Sequence, residues 1–119
     1  MLPEIWGPII WYNFHIMSYT YVNDEIRKYI SFFKSMPYIL PCLICTEHFR
    51  EELIKSPPDK NLITRDSTIR WLNNLHNHVN ARLNKKIVKL GEANRIYNDT
   101  ETGITKIDHR KIILFLKIT

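Results

Sequence analysis

The sequence contains little glycine and little cysteine, and each shortage excludes a class of protein. Its 119 residues include 3 glycines and 2 cysteines. So few glycines cannot supply the repeated tight turns of a small β-sandwich or barrel, and they leave no room for a glycine-rich phosphate loop. So few cysteines exclude a secreted scaffold held together by several disulfides.

Long apolar runs are also absent. The C-terminal run at 112–116 stops after five residues, whereas a membrane-spanning helix needs roughly 18. The amino terminus lacks the basic segment, the apolar stretch and the small-residue cleavage site of a secretory signal peptide. We therefore expect a cytoplasmic protein with no signal peptide and no membrane span.

The remaining composition is that of one globular domain. Apolar residues make up 45% of the chain, aromatics 12% and charged residues 24%, which is enough apolar material to bury a core. The length predicts a single domain over residues 1–119. The net charge of +5 is compatible with an anionic ligand and equally with plain solubility.

Hydrophobic periodicity predicts an all-α fold. The predicted helices cover residues 7–21, 23–36, 41–55, about 64–86 and 87–98. Pro8 is tolerated in the first turn of the first helix, and Pro41 suits the first position of the third. Residues 99–103 are turn-forming, and 104–119 fit a strand and a helix equally well.

Both cysteines lie in one C-x-x-C motif at the start of the predicted third helix. A helix N-terminus favours anions, so Cys42 should ionise more readily than an ordinary thiol, and the spacing allows an exchangeable disulfide with Cys45. The alternative is half of a zinc site completed by His48 and His76, although their spacing is not that of a zinc finger. A thioredoxin-like domain is disfavoured because no credible strand precedes Cys42.

The first predicted helix carries an aromatic and histidine stripe. Trp11, His15 and Tyr19 are spaced four residues apart and share one face of the helix. Considered alone, such a stripe is more often core packing than the wall of a cofactor site.

The fourth predicted helix carries polar residues along the margin of its apolar face. Asparagine is a poor helix former, and a buried amide must be hydrogen-bonded. The pattern indicates a polar ligand held beside an apolar wall, and the alternative is a solvated face. These residues are Asn73, His76, Asn77 and Asn80, followed by the basic residues Arg82, Lys85, Lys86 and Lys89.

The basic residues after Asn80 suit a phosphate group at one end of such a groove. An exposed basic face for nucleic acid is the competing interpretation. A nucleic-acid-binding bundle would be expected to add exposed aromatics or a groove-reading helix, and neither is evident.

Three motifs together resemble the Erv/ALR family of FAD-linked sulfhydryl oxidases, most of all its viral members. They are Gly7-x3-Trp11-x3-His15-x3-Tyr19, then Cys42-Leu-Ile-Cys45, and then the H-N-x-V-N element at 76–80, within the segment from Leu75 to Lys85. Their order and spacing match the family, and the resemblance covers about residues 6–86. The H-N-x-V-N element is the most specific of the three, and the C-x-x-C is the least specific.

The resemblance implies a four-helix bundle with a short fifth helix and with FAD held non-covalently among the helices. It also implies that Cys45 faces the flavin and that Cys42 exchanges with substrate thiols. No metal is expected. The residues that the resemblance places at FAD are Gly7, Trp11, His15, Tyr19, Cys45, His48, His76, Asn77, Val79, Asn80 and Lys85.

The implied activity is the formation of disulfides in substrate proteins, with electrons passing through the C-x-x-C to FAD and then to dioxygen, which becomes hydrogen peroxide. This chain lacks the shuttle cysteines of cellular members, so the implied partner is a separate dithiol protein. A homodimer acting in the host cytoplasm is also implied. The alternative function is a small basic helical module that binds zinc or nucleic acid.

Overall fold

The computed structural model describes residues 3–101, with side chains described from Glu4 to Arg95. This range contains no strand, so the predicted all-α class is confirmed. Two 3-10 turns, Asn23–Glu25 and Met36–Tyr38, flank the second helix. The α-helices are α1 Pro3–Tyr19, α2 Ile26–Ser35, α3 Leu43–Lys55, α4 Pro58–Asn61, α5 Arg65–Arg82 and α6 Leu90–Glu101.

Aromatic side chains from four helices form the main core. Phe33 of α2 contacts Phe14 of α1 and Trp71 of α5, with ring centroids 5.3 and 5.1 Å apart. Phe49 of α3 reaches the same Phe14. The contacts of Phe33 are edge to face and that of Phe49 is tilted, and together these rings fix how α1, α2, α3 and α5 pack against one another. The buried members are Phe14, Phe33, Met36, Phe49, Leu62, Trp71, Leu72 and Leu75.

A second, smaller cluster joins α6 to α1. Tyr19, Val88 and Ala93 are buried together, and the Tyr19 hydroxyl donates to Oδ1 of Asn94. The predicted fifth helix is therefore present as α6, although it begins at Leu90 and ends at Glu101. The predicted ambiguity of residues 104–119 lies outside the described residues.

Helix boundaries differ from the predictions where capping decided them. The first helix begins at Pro3, and Pro8 lies inside it. Pro3 followed by Glu4 is an equally good start signal, since a proline suits the first position and an acidic residue the first turn. The second element begins as a 3-10 turn rather than an α-helix, and the side chain of Asn23 does not cap it.

Helix α5, which corresponds to the fourth predicted helix, ends at Arg82, four residues earlier than predicted. Asn84 has a left-handed backbone with φ of 56°, its N–H donates to the carbonyl of Ala81, and the N–H of Lys85 donates to that of Asn80. This is a Schellman motif, which terminates a helix and satisfies its last carbonyls. The periodicity of the fourth predicted helix would have placed Leu83 on its apolar face, but Leu83 lies at the end of α5 and is exposed.

The sequence analysis also missed α4. The segment Ser56-Pro57-Pro58 stops α3, as predicted, but Pro58 then starts a one-turn helix because its fixed φ suits a first helical position.

Within residues 3–101, no helix is both long enough and apolar enough to cross a membrane.

Candidate functional site

A disulfide between Cys42 and Cys45 closes the start of α3. Cys42 is the N-cap in an extended conformation, and its Sγ accepts the N–H of Cys45 at 3.2 Å. Cys42 therefore precedes the helix rather than lying in its first turn as predicted. Both cysteines are half-buried. When the disulfide is reduced, a thiolate at Cys42 would gain from this N–H and from the positive end of the helix dipole.

Cys45 lies on the inward side of α3. Phe49, four residues further on, is buried against Phe14 of α1, and residues four apart share one helix face. Phe14 in turn contacts Trp11, with ring centroids 5.6 Å apart. Phe49, Phe14 and Trp11 therefore form a row of ring contacts between the side of α3 that also carries Cys45 and the aromatic stripe on α1.

The structure brings together two histidines that the sequence analysis placed on different helices. His15 Nε2 lies 2.8 Å from His76 Nδ1, so one of these ring nitrogens donates and the other accepts. Trp11 stacks on His76 with ring centroids 4.0 Å apart and an interplanar angle of 3°. Both histidines are buried, whereas Trp11 is only partly buried. These three residues, the Trp11–His15–His76 cluster, form the interface between α1 and α5.

Burial, reinforced by the nearby charge of His76, lowers the pKa of His15 well below its ordinary value of 6.5. Folded protein therefore keeps His15 neutral, whereas unfolded protein takes up a proton as the pH falls through 6.5. Above pH 6.5, this histidine therefore does not reduce the free energy of unfolding. Below that pH, we expect the free energy of unfolding to decrease by on the order of 1 kcal/mol per pH unit. Thermal unfolding of the apoprotein at about one pH unit above and about one pH unit below this value would show the loss.

The matched control for this pH dependence is His15→Gln, which has no ionisable group at the same position. Its melting temperature should change less with pH than that of the parent protein. Parallel pH profiles for the two proteins would contradict a neutral His15 in the folded state.

Tyr19 lies at the contact between α1 and α6. Its ring is buried, and its hydroxyl donates to Asn94. Burial raises the pKa of this hydroxyl, so it stays protonated as a hydrogen-bond donor. Tyr19 shares a helix face with Trp11 and His15, as predicted, but its hydroxyl is directed to α6.

The asparagines of α5 take two different roles. Asn77 makes a reciprocal pair with Val88: its Nδ2 donates to the Val88 carbonyl at 2.7 Å, and its Oδ1 accepts the Val88 N–H at 2.9 Å. Asn73 donates to the same carbonyl. These two residues thus hold the segment that leads to α6. Asn80 is fully buried, and its Oδ1 has no hydrogen-bond partner among the residues that the structure describes.

The other predicted site residues lie on α1, on α3, on α5 and just beyond the end of α5. Gly7 is on α1, and a Cβ there would meet nothing within 4 Å. His48 and Val79 are half-buried on α3 and α5. Lys85 is exposed beyond the end of α5 rather than on the helix, because the Schellman motif intervenes.

Sequence analysis missed a buried carboxylate that joins α3 to α5. Glu52 is buried, its Oε1 accepts from Arg82 Nη2 at 3.1 Å, and its Oε2 accepts from His78 Nδ1 at 2.8 Å. A buried carboxylate requires such partners. The partners are 26 and 30 residues away in sequence, so no local pattern indicates them.

The FAD that the resemblance implies can be tested against two features of this interface. Trp11 is only partly buried and stacks on the buried His76, so it is an aromatic residue at the edge of the cluster on which a planar ring system can stack. The Asn80 carbonyl oxygen is a buried acceptor without a partner in the described part of the chain, and such an atom suits an N–H donor of a ligand. These residues fit the cofactor.

A metal centre has less support from the geometry. Across residues 3–101, no three His, Cys, Asp or Glu side chains are grouped so that they could hold a metal ion. Cys42 and Cys45 are bonded to each other, and His76 is bonded to His15 rather than directed at the cysteines.

The fold and the site define a class of protein: a helical bundle with an accessible redox disulfide at the N-terminus of a helix that ring contacts connect to a buried aromatic and histidine cluster. The sequence profile of the Erv1/Alr family matches residues 8–98. The chain belongs to this family.

Individual relatives are viral proteins. The chain is 33% identical to a protein of Acanthamoeba polyphaga mimivirus named "Probable FAD-linked sulfhydryl oxidase", over 78% of this chain and 68% of that protein. It is 34% identical to a protein of Invertebrate iridescent virus 3, over 70% of this chain and 59% of that protein. It is 30% identical to the FAD-linked sulfhydryl oxidase of African swine fever virus, over 80% of this chain and 82% of that protein.

Proposed function

We propose that this chain is an FAD-linked sulfhydryl oxidase that forms disulfides in substrate proteins. The observation that carries the proposal is the half-buried disulfide at the N-terminus of α3, with Cys45 on the side of the helix that packs toward the Trp11–His15–His76 cluster. Membership of the Erv1/Alr family and the names of the viral relatives support the same activity.

The first chemical step is thiol–disulfide exchange at Cys42. A substrate thiolate attacks Sγ of Cys42, a new S–S bond forms, and Cys45 leaves as a thiolate. A second thiolate of the substrate then attacks the substrate sulfur of this mixed disulfide, which forms the substrate disulfide and releases the Cys42 thiolate. The N–H of Cys45 and the start of α3 stabilise that leaving group. Two electrons have then passed from the substrate to the Cys42–Cys45 pair.

FAD supplies the two-electron acceptor that connects the reduced pair to dioxygen, with hydrogen peroxide as the product. We propose that Trp11, backed by the stacked ring of His76, provides the flat surface for it, that Asn80 accepts a hydrogen bond from it, and that Lys85 faces its phosphates. The further proposed contacts are Gly7, His15, Tyr19, Cys45, His48, Asn77 and Val79. Through the contact with Val88, Asn77 also holds the segment between α5 and α6 in place.

The proposal extends to partners and setting. The substrate is a separate dithiol protein, dioxygen is the electron acceptor, and residues 1–119 act as one domain. We propose a homodimer, for which the exposed Ile5 and Ile9 on α1 offer an apolar surface, and action in the cytoplasm of the host cell, in keeping with the viral relatives.

A visible spectrum and an oxygen electrode test this function. Purified protein should be yellow, and dithiothreitol should drive oxygen consumption with release of hydrogen peroxide. Added FAD should stabilise the apoprotein by about 2.7 kcal/mol at a concentration of 100 times the dissociation constant. A colourless protein whose melting temperature does not respond to FAD would contradict the proposal.

A further inference from the structure

Large apolar side chains surround the disulfide and are exposed. Tyr38, Ile39, Leu43 and Ile44 are between 66% and 87% exposed, and they fall within seven consecutive positions that include Cys42. We refer to these four side chains as the 38–44 patch. Contiguous exposed apolar surface on a folded domain marks an interaction site more often than a defect of packing.

The 38–44 patch is continuous with the reacting sulfur. Leu43 and Ile44 are the two residues between the cysteines, and the Met36–Tyr38 turn packs against α3. A protein thiol that reaches Sγ of Cys42 must therefore lay the residues on either side of its own cysteine across this patch.

The patch is also uncharged. Residues 35–46 contain no Lys, Arg, Asp or Glu, although the chain as a whole carries a net charge of +5. The nearest charged residues along the chain are Lys34 and Glu47. Arg50 lies over the ring of Tyr38 and pairs with Glu47 at 2.7 Å, so this cation near the patch already has a partner. This arrangement selects an apolar segment, because a charged one would lose hydration without gaining a partner.

We propose that the 38–44 patch docks the substrate protein by binding an extended segment in which the reacting cysteine is flanked by large apolar side chains. The inference rests on the proposed oxidase function and adds the sequence preference of its substrate. A second copy of this chain is a poorer occupant, because it would cover the disulfide that must stay open to substrate thiols.

The test uses the FAD-loaded enzyme and two reduced dithiol peptides that differ only beside their cysteines, with leucine and phenylalanine in one and serine in the other. Burial of two apolar side chains should raise kcat/KM for the apolar peptide about tenfold over the serine peptide. Dithiothreitol, which has no flanking residues, provides the reference rate for each enzyme variant.

The informative variant is the double substitution Ile39→Asn with Leu43→Asn. We expect its preference for the apolar peptide to fall to about onefold to twofold, since the apolar contact is lost. The matched control is Ile54→Asn with Ile63→Asn, two residues that are 73% and 59% exposed and lie outside residues 38–44. The control should keep the tenfold preference of the parent.

Three outcomes would overturn the docking proposal. They are equal kcat/KM for the two peptides with the parent enzyme, a preference that survives Ile39→Asn with Leu43→Asn, and light scattering that shows this variant turning a dimer into a monomer, since the patch would then be a subunit interface. Failure of the parent to oxidise dithiothreitol would instead refute the oxidase function, and the docking proposal with it.

Discussion

Cys45→Ser and Cys42→Ser should each lower thiol-dependent oxygen consumption by at least about a thousandfold. Neither variant can form the Cys42–Cys45 disulfide, and the chain contains no other cysteine that could replace the missing sulfur. Serine matches cysteine closely in size, and both positions are half-buried at the surface end of α3. The variants should therefore fold and keep their yellow colour.

The two cysteine variants should also differ in what they trap. In Cys45→Ser, the Cys42 thiolate can attack the disulfide that joins two single-cysteine peptides, which bonds one peptide to Cys42 and releases the other as a free thiolate. The excess of peptide disulfide keeps the mixed disulfide populated, and mass spectrometry would detect it. Thr46→Ser, the next position on α3, is the matched control and should retain the parent rate. Normal oxidase rates in either cysteine variant would refute the role of the disulfide.

His76→Ala should destabilise the apoprotein by about 2 to 4 kcal/mol and abolish FAD binding at micromolar concentrations. The substitution removes the bond to His15 and the stacked surface under Trp11, and it leaves a cavity at a buried position. Urea unfolding would measure the stability, and flavin fluorescence would measure the dissociation constant.

Two further variants separate folding from cofactor binding at this position. His76→Asn keeps a polar atom that can bond to His15 and should recover part of the stability, but it lacks the ring and should not recover FAD binding. Asn74→Ala changes an exposed residue on the same helix and should alter neither property. Parent-like FAD affinity in His76→Ala would show that the Trp11–His15–His76 cluster is structural only.

The sequence predicted those parts of the fold that local chemistry determines. The side chain of Thr64 accepts the N–H of Ser67, and the side chain of Ser67 accepts the N–H of Thr64, which together form a capping box. The predicted start of the long helix is therefore confirmed. The predicted end of that helix was wrong, because Asn84 adopts a left-handed conformation. Asparagine tolerates this conformation, but nothing in the surrounding sequence indicates it.

The predicted site depended on contacts between distant segments. Periodicity placed His15 and His76 on the correct faces of two helices, but their bond joins residues 61 positions apart and follows only from the packing of α1 on α5. The spacing of Asn77 on α5 likewise indicated a polar contact but not its partner. Its observed partner, the backbone of Val88, depends on how the chain returns after the Schellman motif.

The buried carboxylate of Glu52 has a consequence for the sulfur chemistry at the other end of its helix. Glu52 and Cys45 are seven residues apart and so lie on the same side of α3, about 10 Å from each other along its axis. Because Arg82 and His78 hold both oxygens of Glu52 from α5, any rolling of α3 about its long axis must break two polar contacts. The contacts of Glu52, two helical turns away, therefore help to set the orientation of the Cys45 sulfur. A substitution that removes these contacts would misalign the redox pair without altering either cysteine.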